Sequence, residues 1–176
     1  MLNLISKILK TPRLIEDINT AGLPPAYHAT GAELDSKIKK LFKGSLAIRV
    51  VTAGGTNAEE QELVALSSPY YDVDRFGIHF VASPRHADML MVTGPVSRNM
   101  YDGLVHSYEA MATPKIVVAV GDDAINGGIF KGSYAVLDGA RGAIPVDYEI
   151  PGDPPSPTQI LTALSQILSD IEAKKK

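Results

Sequence analysis

The chain has 176 residues, 45% of them hydrophobic, a formal net charge of −3 and no cysteine. That length suits one core of ordinary size. The lack of thiols excludes disulfides, thiolate zinc sites, cysteine nucleophiles and iron–sulfur clusters held by the chain's own thiolates, and the scattered basic residues leave no electrostatic footprint for nucleic acid. No apolar run nears the roughly 20 residues of a membrane-spanning helix, and no signal-peptide pattern is evident, so a soluble or peripheral protein is expected.

In "MLNLISKILKTP" the residues Leu2, Ile5, Ile8 and Leu9 recur at helical spacing, Lys7 and Lys10 lie off that stripe, and Pro12 ends it. The spacing predicts an amphipathic helix over 1–12 that lies on a membrane surface, on a partner or on its own domain, since so short a helix is marginal until its apolar face is buried. Residues 13–44 read as a linker, "NTAGLPPAYHATGAE", followed by a short helix, "ELDSKIKKLF".

From residue 45 onward strand and helix patterns alternate. The strands are "SLAIRVV", "GIHFVA", "ADMLMVTG", "KIVVAVG" and a short one before "IPVDYEIPG"; the helices are "AEEQELVAL", "SRNMYDGLVHSYEAM" and the final "SPTQILTALSQILSDIEAKKK". Apolar strands between amphipathic helices predict a mainly parallel sheet covered on both faces, a three-layer α/β/α domain of flavodoxin-like type over 45–176. In such sheets ligands gather beyond the carboxyl ends of the strands. Three loops there carry carboxylates: "TAGGTNAEEQE" with Glu59 or Glu60, "GDDAINGG" with Asp122 or Asp123, and "PGDPPSP" with Asp153. In a fourth, "TGPVSRN", Pro95 and Ser97 are candidates to begin and cap a helix.

The ordered set "SPRHADMLMVTGPVSRNM", "PKIVVAVGDDAINGGIF" and "IPVDYEIPGDPPSP" resembles the small, cluster-bearing subunit shared by respiratory complex I (its PSST, or B-type, subunit) and the membrane-bound nickel–iron hydrogenases, from about residue 45 to the last helix. "SPYYDVDRFGIHFVASPRHAD" leans toward the hydrogenase-like branch. In that family four cysteines hold a 4Fe–4S cluster, and the resemblance places Thr56, Glu59, Asp123 and Asp153 at their positions. Every thiolate position is thus filled by an oxygen side chain. Soft iron–sulfide clusters select thiolates, so no cofactor is expected here, while the surrounding glycines and prolines, and Glu62, keep the family pattern.

The resemblance implies a redox-silent subunit of a membrane-associated complex, peripheral on the cytoplasmic face. Its implied partners are a hydrogenase-like or quinone-site large subunit and a membrane-embedded subunit reached through Leu2, Ile5, Ile8 and Leu9, with a ferredoxin-like subunit as a further neighbour. Two alternatives stand beside this reading: an electron-transfer component whose cofactor a partner supplies, and a stand-alone flavodoxin-like domain that binds a small ligand or a hard metal. Converging carboxylates at Glu59, Asp123 and Asp153 raise one another's pKa and need relief. Arg85 or His86 of "SPRHAD" is a candidate for an internal salt bridge; a hard cation such as Ca²⁺ or Mg²⁺, and shared protons or carboxylates turned to water or a partner chain, are the others.

The remaining features carry less. His28, His79, His86 and His106 show no metal spacing, Ser97 and Ser133 have no nucleophile signature, and "GDDAINGG" lacks the Lys-Ser/Thr of a phosphate-binding loop. The methionines of "DMLMV" read as core.

Overall fold

A computed structural model describes residues 25–174. The expected amphipathic helix at Leu2, Ile5, Ile8 and Leu9 lies outside the described residues.

Five strands form one sheet: β1 (Leu46–Thr52), β2 (Ile78–Phe80), β3 (Met89–Thr93), β4 (Ile116–Val120) and β5 (Tyr148–Ile150). Their order is β2-β1-β3-β4-β5, and every neighbouring pair is parallel. The helices are α1 (Pro25–Phe42), α2 (Ala58–Leu66), α3 (Tyr101–Ala110), α4 (Asp122–Asn126) and α5 (Pro157–Lys174). This is the expected three-layer α/β/α arrangement, with the order of flavodoxin-like sheets.

Side-chain alternation along the strands divides the core in two. Met89 and Met91 of β3, with Ile48 and Val118, pack under Leu34 and Ile38 of α1, Leu63 of α2 and Leu161 and Leu164 of α5. Leu90 and Val92, with Val51 and Ala119, pack under Leu104 of α3, Ala124 of α4 and Ile144. Every residue of β3 is buried, as a central parallel strand requires. At the strand entrances Asp88 accepts from the Ala47 N–H at 3.0 Å and Asp147 from the Val117 N–H at 2.9 Å, so these carboxylates serve the backbone.

Two elements differ from expectation. The first helix starts at Pro25 rather than Glu33, so residues 25–32 are helix and not linker. Gly31 explains the difference: it is buried inside α1, where a Cβ would strike the Phe76 ring, so it permits close packing instead of marking a loop. The second difference is α3, which begins at Tyr101. Ser97 does not cap it, because its N–H donates to the Ala53 carbonyl at 2.7 Å and the residue pairs with Val136 in an isolated antiparallel bridge.

Candidate functional site

The exits of β1, β4 and β5 carry the expected acidic loops. Beyond β1 the chain reaches α2 through Asn57, whose φ of 71° turns the backbone sharply, and the second residue of the helix points inward. That residue is Glu59, 0% exposed. Beyond β4, Gly121 leads into α4, whose second residue, Asp123, is 2% exposed. Its neighbour Asp122 is a clasp: Oδ1 accepts from the Gly152 N–H at 3.0 Å, and the Asp122 N–H donates to the Gly152 carbonyl at 2.8 Å. The β4 and β5 exits are thereby joined. Asp153, before a cis peptide bond to Pro154, faces solvent, as does Thr56.

The structure therefore separates the four family positions into two buried carboxylates and two exposed oxygen side chains. Glu59 lies over Gly121: a Cβ there would stand 2.6 Å from its Cγ and 2.7 Å from Oε1. Both Glu59 carboxyl oxygens are buried without a hydrogen-bond partner. Burial is the largest cause and pushes this carboxyl above the ordinary range; its own amide opposes, and the charges of Asp123, Glu60 and Asp153 each add a smaller upward push. Asp123 is raised likewise, first by burial and then by Asp153, with the Ile129 N–H opposing and Asp122 and Glu60 adding. Glu60 is partly satisfied, since its Oε1 accepts from the buried Thr93 hydroxyl at 2.6 Å.

Among the described residues no basic side chain relieves this cluster; every side chain raising these two pKa values is itself an acid. The expected salt bridge to Arg85 or His86 is not formed. Those residues occupy the turn Pro84–His86 just before β3, exposed, and a parallel sheet puts strand entrances at the opposite end from strand exits. Among the described residues no group of three or more His, Asp or Glu side chains is placed to hold a metal ion. The donor set does not fit a 4Fe–4S cluster either: it offers hard oxygens in place of soft thiolates, and the Glu59 side chain fills the space over Gly121.

The other candidates stay apart. His79 Nδ1 lies 2.8 Å from Asp74 Oδ1 on the surface, His106 is exposed on α3, and the "GDDAINGG" turn presents acids where a phosphate would need donors. Sequence reasoning missed Arg49, whose Nε is buried without a hydrogen-bond partner. The signal was a lone charge within the otherwise apolar strand "LAIRVV".

The sequence model of the family described as NADH ubiquinone oxidoreductase, 20 Kd subunit, matches residues 57–167. The chain belongs to this family. It is 44% identical over 131 residues to an uncharacterized protein of Methanocaldococcus jannaschii, covering 74% of this chain and 88% of that one. It is 37% identical over 158 residues to formate hydrogenlyase subunit 7 of Escherichia coli, covering 90% of this chain and 62% of the relative. A subunit of the NADH-quinone oxidoreductase of Phocaeicola vulgatus is 44% identical over 115 residues, covering 65% of this chain and 58% of the relative. The chain thus spans about three fifths of the length of these last two relatives. Among known structures, a chain of the membrane-bound sulfane sulfur reductase, an archaeal respiratory membrane complex, superposes with a TM-score of 0.66 at 32% identity, covering 79% of this chain and 75% of that one. A chain of an NAD⁺-reducing [NiFe]-hydrogenase, at 19% identity and a TM-score of 0.56 over 72% of this chain and 92% of the other, shares the fold. The family frame and the oxygen donor set coexist in one chain.

Proposed function

We propose that this chain is a redox-silent subunit of a membrane-associated complex built on the plan of respiratory complex I and the membrane-bound hydrogenases. The observation that carries the reading is Glu59, a carboxylate fully buried over Gly121 at a position where the family's cluster ligand is a cysteine. A pocket in which a side chain fills the space over a glycine, and in which only hard donors remain, is poorly suited to an iron–sulfur cluster and so to passing electrons. Family membership and the likeness to subunits of formate hydrogenlyase, NADH-quinone oxidoreductase and the sulfane sulfur reductase support placement in a multi-subunit assembly. On this reading the chain docks against a hydrogenase-like or quinone-site large subunit. It also meets a membrane-embedded subunit, with a ferredoxin-like subunit as a further neighbour, and lies peripherally at the cytoplasmic face. No helix among the described residues is long and apolar enough to cross a membrane, which agrees with a peripheral position.

The test is to purify the native chain with its neighbours and measure iron and acid-labile sulfide on this subunit. Neither is expected above background. Stoichiometric iron and sulfide on this chain overturns the redox-silent reading, and a chain that purifies alone as a stable monomer overturns the subunit reading.

A further inference from the structure

A cavity of about 730 Å³ opens between α2 and α3, with Glu60 on one wall, and is bordered by Arg49, Val50, Val51 and Thr52 of β1. Successive strand residues point to opposite faces, so a cavity that touches all four reaches the edge of the strand. The hydrogen bonds show which edge. Asp88 N–H donates to Ala47 O and Ala53 N–H to Thr93 O, both at 2.8 Å, so the odd-numbered residues of β1 bond toward β3. Leu46 N–H donates to Gly77 O and Val81 N–H to Ile48 O, again at 2.8 Å, so the even-numbered residues face β2. But β2 ends at Phe80, opposite Ile48. Val50 and Thr52 consequently turn their N–H and C=O groups to a side where, among the described residues, no strand follows, and the cavity lies there.

The walls of this slot are apolar with polar groups left open. On the α2 side Val64 is 66% exposed, and on the α3 side Met100 is 38% exposed. A Cβ on Gly103 would meet nothing nearer than the Met100 methyl at 4.0 Å, so the α3 wall stands back from the edge. Arg49 Nε and Glu60 Oε2 are both buried without a hydrogen-bond partner, one a donor and the other an acceptor. Buried polar groups are rarely left so, because each costs its desolvation.

We infer that the slot takes an extended segment of a neighbouring subunit, which adds a strand beside β1. A polypeptide backbone offers donors and acceptors at the two-residue repeat of Val50 and Thr52. Side chains alternating along it place apolar groups against Val64 and Met100, and a carboxylate of the segment answers the open Arg49 Nε. The inference rests on the chain being a subunit of a larger assembly.

Hydrogen exchange on the native complex and on the separated chain tests it, together with a photo-crosslinking residue at Val64. The Val50 and Thr52 amides are expected to exchange at least roughly tenfold more slowly in the complex, with crosslinks converging on one short acidic-apolar segment of a single partner. Val50→Pro removes an edge donor at a position where proline is tolerated, and is expected to abolish the protection at Thr52. Should that variant not fold, Arg49→Gln is expected to weaken partner retention roughly tenfold while the chain's own unfolding midpoint holds. A complex that retains its partners while both amides exchange at the free rate overturns the inference and leaves the subunit reading standing. So do crosslinks to lipid, to a small molecule or to a second copy of this chain. A chain without partners overturns both.

Discussion

Glu59 and Gly121 are one arrangement seen from two sides: the carboxylate lies where a Cβ would otherwise stand, and the glycine's φ of 88° is itself a conformation that favours glycine. Gly121→Ala is therefore expected to cost at least about 2 kcal/mol, combining backbone strain with collision. Adding Glu59→Ala should recover the collision and leave the strain, which a double-mutant cycle from urea unfolding separates. The charge of the same side chain sets a pH signature. Because the folded-state pKa values of Glu59 and Asp123 are raised, the unfolded chain releases these protons first as pH climbs. Their contribution to stability is complete below the ordinary carboxylate range and declines as pH rises through the raised values. Glu59→Gln removes one such group, so its stability relative to the native chain should grow between acidic and neutral pH, as read from unfolding midpoints across that range. Asp153 differs: it is exposed and adds only like charge, so Asp153→Ala should change stability by no more than about 0.5 kcal/mol. The sequence placed Asp123 and Asp153 in equivalent loop positions and showed nothing of this difference, since burial depends on what packs over each loop.

At the scale of elements, α1 is held by the face it presents to α5 and the sheet, where Leu34 and Ile38 are fully buried. Truncating either to alanine should cost about 2–5 kcal/mol, measured as a shift of one cooperative transition; a loss near zero would mean that α1 is an appendage. Strand patterns such as "MLMV" and "IVVAV" were legible because buried parallel strands are continuously apolar. The start of α1 was not legible, because a glycine that admits an aromatic ring and a glycine that ends a helix look alike in one dimension. Arg85 and His86 misled for a related reason. Nearness in sequence to a strand says nothing of which end of the sheet it occupies, and β3 enters the sheet opposite the acidic loops.

For the whole molecule, the family and its fold were legible through a resemblance carried by several motifs in fixed order, and the family match over residues 57–167 agrees with it. What fills the site was legible only as residue type. Its internal organisation follows from the Asp122–Gly152 clasp, in which two backbone-anchored hydrogen bonds join the loops after β4 and β5. A cluster ligated from both loops would cross-link them; here the peptide chain makes that link itself. On the proposed reading, biogenesis of this subunit is therefore uncoupled from metallocentre maturation. Chain made in iron-starved cells should show the same unfolding midpoint and the same yield as chain made in iron-replete cells, and can enter its assembly straight from the ribosome.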